Sequence, residues 1–393
     1  MACSTDPTLW GPLAERYTTK QPRKLLALDG GGIRGVITLE MLGAMENQLA
    51  DRLGRGDDFR LCHYFDYIGG TSTGAIIAAG LARGMSVPEL LDFYVKTGPE
   101  MFDKRFILRR LKSIYRSEPL ERQLRDVFGE DTDLSPEHLD CLLLVVTQNV
   151  TTDSPWPISS NPWARYNSQE RSDCNLRIPL WRLVRASTAA PVYFPPEVLP
   201  WDPDDPDKAF VFVDGGVTPY NNPAFLLYRM ATQPAYCLGW ETGEDQLLVI
   251  SVGTGTSATL GGYDADRGLV STVPSLPSNL LYTMLVEQDI NCRTVGRCTY
   301  GAPIDRELGD MIPRGDDGAP LPLSDDQGRH FLYARYNVEL TDERLEELGL
   351  GSIKADDVRK LDSVDHIDDM RAVGRAAGRQ IDLAHFGPFV PQA

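Results

Sequence analysis

At 393 residues the chain is long enough for one large or two ordinary domains, and 42% hydrophobic residues can supply a sizeable buried core. A formal net charge of −17 sets the surface as a whole against nucleic acid and anionic membrane, so any lipid contact must be local. The seven cysteines Cys3, Cys62, Cys141, Cys174, Cys237, Cys292 and Cys298 are scattered without CxxC pairs. That spacing disfavours a disulfide framework and a zinc site, and it fits a reducing cytoplasm. No apolar run approaches the roughly 18 residues of a membrane span. The opening MACSTDPTLWGPLAERY lacks the basic-then-apolar order of a signal peptide. The expectation is a globular protein, at most peripheral to a membrane.

In chain order, a polar lead-in (1–22) precedes KLLALDGGG, which reads as a buried strand entering a glycine turn. Val36, Leu39, Leu42, Met45 and Leu49 then recur at helical spacing. YFDYIGG is a second short strand, broken at Thr71 and Ser72 and followed by the small-residue helix AIIAAGLARG, which Gly84 ends. DCLLLVVTQNV and DQLLVISVGTG have the branched apolar character of strands buried on both faces of a parallel sheet. Strands alternating with helices predict an α/β layered fold. Frequent glycine and proline from about Gly261 to Gly328 predict long surface loops, and the polar helical pattern after Leu340 is expected outside the sheet. The organisation expected is a catalytic domain over 23–260 and a loop-rich, helical extension over 261–393 packed on it.

Gly70-Thr71-Ser72-Thr73-Gly74 is a GxSxG between an apparent strand and an apparent helix, the setting in which that motif presents a nucleophilic serine. Flanking glycines let the hydroxyl project and bring the helix N-terminus close behind it; the plain alternative is an ordinary tight turn. Gly30, Gly31 and Gly32 follow the first strand and leave a row of unobstructed backbone N–H groups, as an oxyanion hole requires. The same run formally matches GxGxxG, but a dinucleotide site expects a second strand ending in an acidic residue about 20 positions on, and a helix stands there instead. Arg34 is a candidate for a substrate phosphate or for tying the loop to a carbonyl or carboxylate. The base is sought among His63, His138, His330, His366 and His385, none of which follows an apolar strand with glycine behind it, and Asp214. Asp214 ends the apolar strand FVFVDGG, where apolar walls would raise its pKa towards that of a useful base. The plain alternative is a turn-forming aspartate.

Taken together, DGGGIRG, GTSTG, ASTAAPVYFPP (186–196) and VDGGVTPYNNPA (213–224), in this order, resemble the patatin family of lipid acyl hydrolases. The similarity spans about Lys24 to Thr256. It implies a three-layer α/β fold with a mostly parallel central sheet flanked by helices, and a Ser–Asp dyad acting without histidine, cofactor or metal. Carried over residue by residue, Ser72 is the nucleophile, Asp214 the base, and the N–H groups of Gly30, Gly31 and Gly32 the oxyanion donors. The implied substrates are phospholipids, galactolipids or neutral acylglycerols at a membrane or micelle surface.

Beside a nucleotide-binding Rossmann protein and a non-catalytic lipid-binding module, two further rivals stay open. One is an α/β-hydrolase triad using a downstream histidine. The other is an effector phospholipase of the same family switched on by a nucleotide, with the regulator on the C-terminal third, which carries no phosphate-cradling signature. A last expectation concerns Lys104 to Arg116, where six basic residues and no acid interleave with Phe106, Ile107, Leu108, Leu111, Ile114 and Tyr115. This is the pattern of an interfacial helix, or of a surface helix with its apolar face on the core.

Overall fold

The computed structural model describes residues 3–102, 118–191, 194–202, 205, 207–256, 276–322 and 328–391. The basic segment 104–116 therefore lies outside the described residues. One mixed sheet organises the chain. Its strands are β1 (Arg23–Leu28), β2 (Tyr67–Thr71), β3 (Leu142–Asn149), β4 (Ser154–Ser159), β5 (Glu197–Pro200), β6 (Ala209–Asp214), β7 (Leu247–Val252), β8 (Arg297–Tyr300) and β9 (Leu332–Tyr336). The order is β5-β6-β3-β2-β1-β7-β9-β8, with β4 paired to β3. From β3 through β2, β1, β7 and β9 to β8 every pairing is parallel; β4, β5 and β6 are joined antiparallel.

Successive side chains of a strand point to opposite faces, and both faces are buried here. Leu26, Leu28, Ile68, Leu143, Val145, Leu248 and Ile250 pack into one core. Leu25, Ala27, Tyr67, Leu142, Leu144, Leu247 and Val249 pack into the other. Helices α1 (Gly35–Arg52), α2 (Thr73–Ala82), α3 (Val87–Phe102), α4 (Glu118–Phe128) and α5 (Leu180–Ser187) cover the first face. On the second face lie α6 (Ala224–Thr232) and α7 (Leu276–Val295), with Trp10 and Tyr17 of the N-terminal lead-in. A final helix, α8 (Ile367–Gly378), packs along α1. The result is the three-layer α/β arrangement.

Three features depart from the sequence reading. The span read as surface loops contains the 20-residue α7 and strand β8, because glycine and proline density near its start masks the apolar spacing that follows. Past residue 260 the sheet continues, since β8 and β9 extend it. Cys3 and Cys237 form a disulfide across 234 positions. The expectation of scattered, reduced cysteines is corrected for this pair, because the lead-in folds back over the turn Pro234–Tyr236, a proximity no local spacing reveals. Cys62, Cys141, Cys174, Cys292 and Cys298 are free and buried. Among the described residues no helix is long and apolar enough to cross a membrane.

Candidate active site

The register of β3 brings the two key chain ends together. On one edge, β4 occupies Leu144 to Asn149. Both β2 and β6 must then share the opposite edge, and they do so end to end. β2 runs parallel to β3 and stops with Thr71 opposite Val146, while β6 runs antiparallel and stops with Asp214 opposite Thr147. Ser72 and Asp214 therefore meet where two strands terminate against each other. The serine hydroxyl donates to Asp214 Oδ2 at 2.6 Å.

Ser72 sits between β2 and α2 with φ 54° and ψ −123°, an uncommon backbone for a residue with a side chain. The residues two positions to either side of it must be glycine. A Cβ on Gly70 would fall 2.0 Å from the Gly74 carbonyl, and one on Gly74 would fall 2.3 Å from the Leu28 carbonyl. The strained turn is braced from α5, where Ser187 Oγ accepts the Ser72 N–H at 2.9 Å and donates to the Val146 carbonyl at 2.7 Å. The amino end of α2, with its partial positive charge, lies directly behind the hydroxyl.

Asp214 is only 5% exposed. Burial raises its pKa from 3.8 to about 6, against the opposing pull of hydrogen bonds from Ser72 and from Gly216 N–H, which reaches Oδ1 at 2.6 Å. A carboxyl so placed can take a proton from the serine near neutral pH and can return it. All five histidines are engaged elsewhere. His63 accepts from Arg60 N–H, His138 pairs with Asp133, His330 with the Tyr228 hydroxyl, His366 with Asp369, and His385 with the Tyr336 hydroxyl. None is hydrogen-bonded to Ser72 or Asp214.

The glycine loop packs beside the serine. Its three residues differ in a way the sequence cannot show. Gly30 N–H is already committed to the Asn221 carbonyl at 3.0 Å. Gly31 and Gly32 N–H have no acceptor among the described residues. Ile33 N–H, next in line, donates to the Leu361 carbonyl at 3.0 Å. Each glycine also faces a tight neighbour: a Cβ would lie 2.3 Å from Asn221 Oδ1 at Gly30, 2.1 Å from Thr254 Oγ1 at Gly31, and 2.3 Å from the Leu361 carbonyl at Gly32, whose φ is +60°. Thr254 further anchors the loop by donating to the Gly30 carbonyl at 3.0 Å. Arg34 ties the loop down through the Arg359 carbonyl at 3.2 Å.

Sequence reasoning did not assign roles to Ser187, Asn221, Thr254 or Leu361. Signals existed for the first three: Ser187 and Asn221 lie inside the conspicuous ASTAAP and YNNPA blocks, and Thr254 follows the end of a buried strand with a glycine on each side. Leu361 acts through its carbonyl, so no side-chain signal could announce it.

The fold has two cores about a mostly parallel sheet, and at its abutting strand ends a serine hydroxyl meets a buried carboxylate beside a glycine loop, an arrangement in which the carboxylate can activate the hydroxyl. The patatin-like phospholipase family model matches residues 26–228, just over half of the chain, and the chain belongs to that family. Patatin-17 of Solanum cardiophyllum is 29% identical over 272 residues, covering 66% of this chain and 65% of the relative. A cGAMP-activated phospholipase of Vibrio cholerae is 33% identical over 219 residues, covering 53% of this chain and 57% of the relative. Patatin-2-Kuras 4 of Solanum tuberosum is 28% identical over 274 residues, covering 66% and 67%. The chain thus spans between about half and two thirds of the length of these relatives.

Proposed function

We propose that the chain is a lipid acyl hydrolase that cleaves fatty acyl esters through a serine-bound acyl intermediate. The observation that supports this best is the 2.6 Å hydrogen bond from Ser72 to a buried carboxylate whose pKa is raised to about 6. In this reading Asp214 takes the Ser72 proton as Oγ attacks the ester carbonyl. The developing oxyanion is met by Gly31 and Gly32 N–H and the positive end of α2. Asp214 then returns the proton to the departing alcohol, and a water it deprotonates releases the fatty acid. Family membership supports lipid esters as the substrate class.

The decisive measurement is fatty acid release from phospholipid vesicles by wild type and by Ser72→Ala. Hydrolysis retained in Ser72→Ala would overturn the proposal. Each assay is run with and without cGAMP, because one relative is named for activation by it. Contact with the lipid surface is assigned to the basic segment, and reversing Arg109, Arg110 and Lys112 to glutamate tests it. The triple variant should lose turnover on anionic vesicles and keep it on a short soluble ester, each cation near such a surface contributing about 1 kcal/mol. Equal activity of variant and wild type on vesicles rejects the interface.

A further inference from the structure

Beneath the glycine loop lies a buried ion pair that the acyl-transfer scheme does not use. Asp29 opens the loop, and its N–H donates to the Val252 carbonyl at 3.1 Å, so its backbone is still held in the sheet. Its carboxylate is gripped by Arg335 of β9: Nη1 reaches Oδ1 at 2.9 Å and Nη2 reaches Oδ2 at 2.5 Å. The side chains are 3% and 0% exposed. Nη1 also donates to Ser251 Oγ at 2.6 Å, and that hydroxyl donates to Asn222 Oδ1 at 3.3 Å. Asn222 adjoins Asn221, whose carbonyl receives the Gly30 N–H.

Two charges sealed in a protein interior are a poor source of stability, because desolvation offsets their attraction and apolar residues of equal volume often serve better. A two-pronged guanidinium–carboxylate contact supplies direction instead, since its parallel bonds define the plane of the carboxylate. Braced by Ser251, that plane sets how the backbone leaves β1. Through Asn222 and Asn221 the same network reaches the flank of the loop at Gly30. The orientation of Gly31 and Gly32 N–H follows from both anchors.

We propose that Arg335, which lies beyond the family-matched residues 26–228, is a positioning residue for the oxyanion loop. The assignment rests on the acyl-transfer reading above. Its test uses the full chain, a short soluble ester, and a trifluoromethyl ketone, which forms a tetrahedral adduct on an active serine.

Arg335→Met should lower kcat by about 10²-fold, the typical effect of a misplaced oxyanion donor, and weaken the ketone in parallel while KM stays within about twofold. Arg335→Lys keeps the charge without the fork and should lose about tenfold. Ser251→Ala should fall between Arg335→Lys and wild type. Leu49→Ala, in the last turn of α1 and away from the loop, is a stability control that should lower Tm and leave kcat unchanged. If both Arg335 variants lose no more kcat than Leu49→Ala at equal folded fraction, or if KM rises as kcat falls, the assignment is overturned. Should Arg335→Met fail to accumulate, Arg335→Lys decides alone, and wild-type kcat in it overturns the proposal. Ser72→Ala is assayed alongside: activity there rejects the acyl-transfer reading itself, whereas an inactive Ser72→Ala beside wild-type-like Arg335 variants rejects only the role of Arg335.

Discussion

A carboxyl held near 6 couples activity and stability to one proton. The folded state binds the Asp214 proton more tightly than the unfolded chain, whose value is 3.8. That favourable contribution is complete below about 3.8 and is lost as pH rises through about 6, above which the native state carries a buried charge. In the proposed mechanism activity runs the opposite way, because Asp214 must be ionised to act as the base. We expect kcat/KM on a soluble ester to rise with pH through an apparent pKa near 6, and a profile flat from pH 5 to 8 would contradict the assignment. Asp214→Asn should abolish turnover and yet raise stability at pH 8 by up to about 3 kcal/mol, a shift of roughly two pKa units, read from denaturant midpoints. At Gly31 an added methyl would press on Thr254. Gly31→Ala should therefore cost about 10²-fold in kcat at unchanged KM, and an intact kcat would remove Gly31 from the proposed oxyanion hole.

At the scale of elements, packing overrides intrinsic preference. Alanine in place of a mid-helix glycine normally stabilises by up to about 1 kcal/mol. At Gly374 of α8 the new Cβ would lie 2.7 Å from Glu40 Cβ and 2.8 Å from the Ile37 carbonyl, both on α1. Gly374→Ala should therefore destabilise, and a raised Tm would show that the helices can separate without loss. Elements with a local signature were legible: β2 running into α2 through GTSTG, and β6 ending in Asp214, both lie where apolar runs and glycines put them. The 2.6 Å contact between them was not legible from periodicity, because it depends on the β3 register that makes β2 and β6 abut. Strand β9 was missed although FLYARY places an arginine inside an apolar run, a charge that has to find a partner. That partner, Asp29, is 306 positions away. Gly30 looked equivalent to Gly31 and Gly32 because the carbonyl that occupies its N–H comes from Asn221.

Over the whole molecule, the Cys3–Cys237 bridge pins the N-terminal lead-in to the turn after α6. A cross-link closing so long a loop typically stabilises by about 2–4 kcal/mol. Treatment with dithiothreitol should lower the Tm of wild type and leave that of Cys3→Ser unmoved; equal responses would mean that the bridge contributes nothing in solution. The continuation of the sheet through β9 and β8 bears on how the protein can be dissected. A fragment trimmed to its family-like part and ended near residue 260 would turn β7 from an interior strand into a bare edge, with a row of unpaired amides and carbonyls open to other chains. It would also strand Asp29 without its counter-charge. Such a fragment should aggregate, and its inactivity would say nothing about Ser72. The useful minimal unit extends at least through Tyr336, and through Leu361 if the carbonyl that holds Ile33 is to be kept.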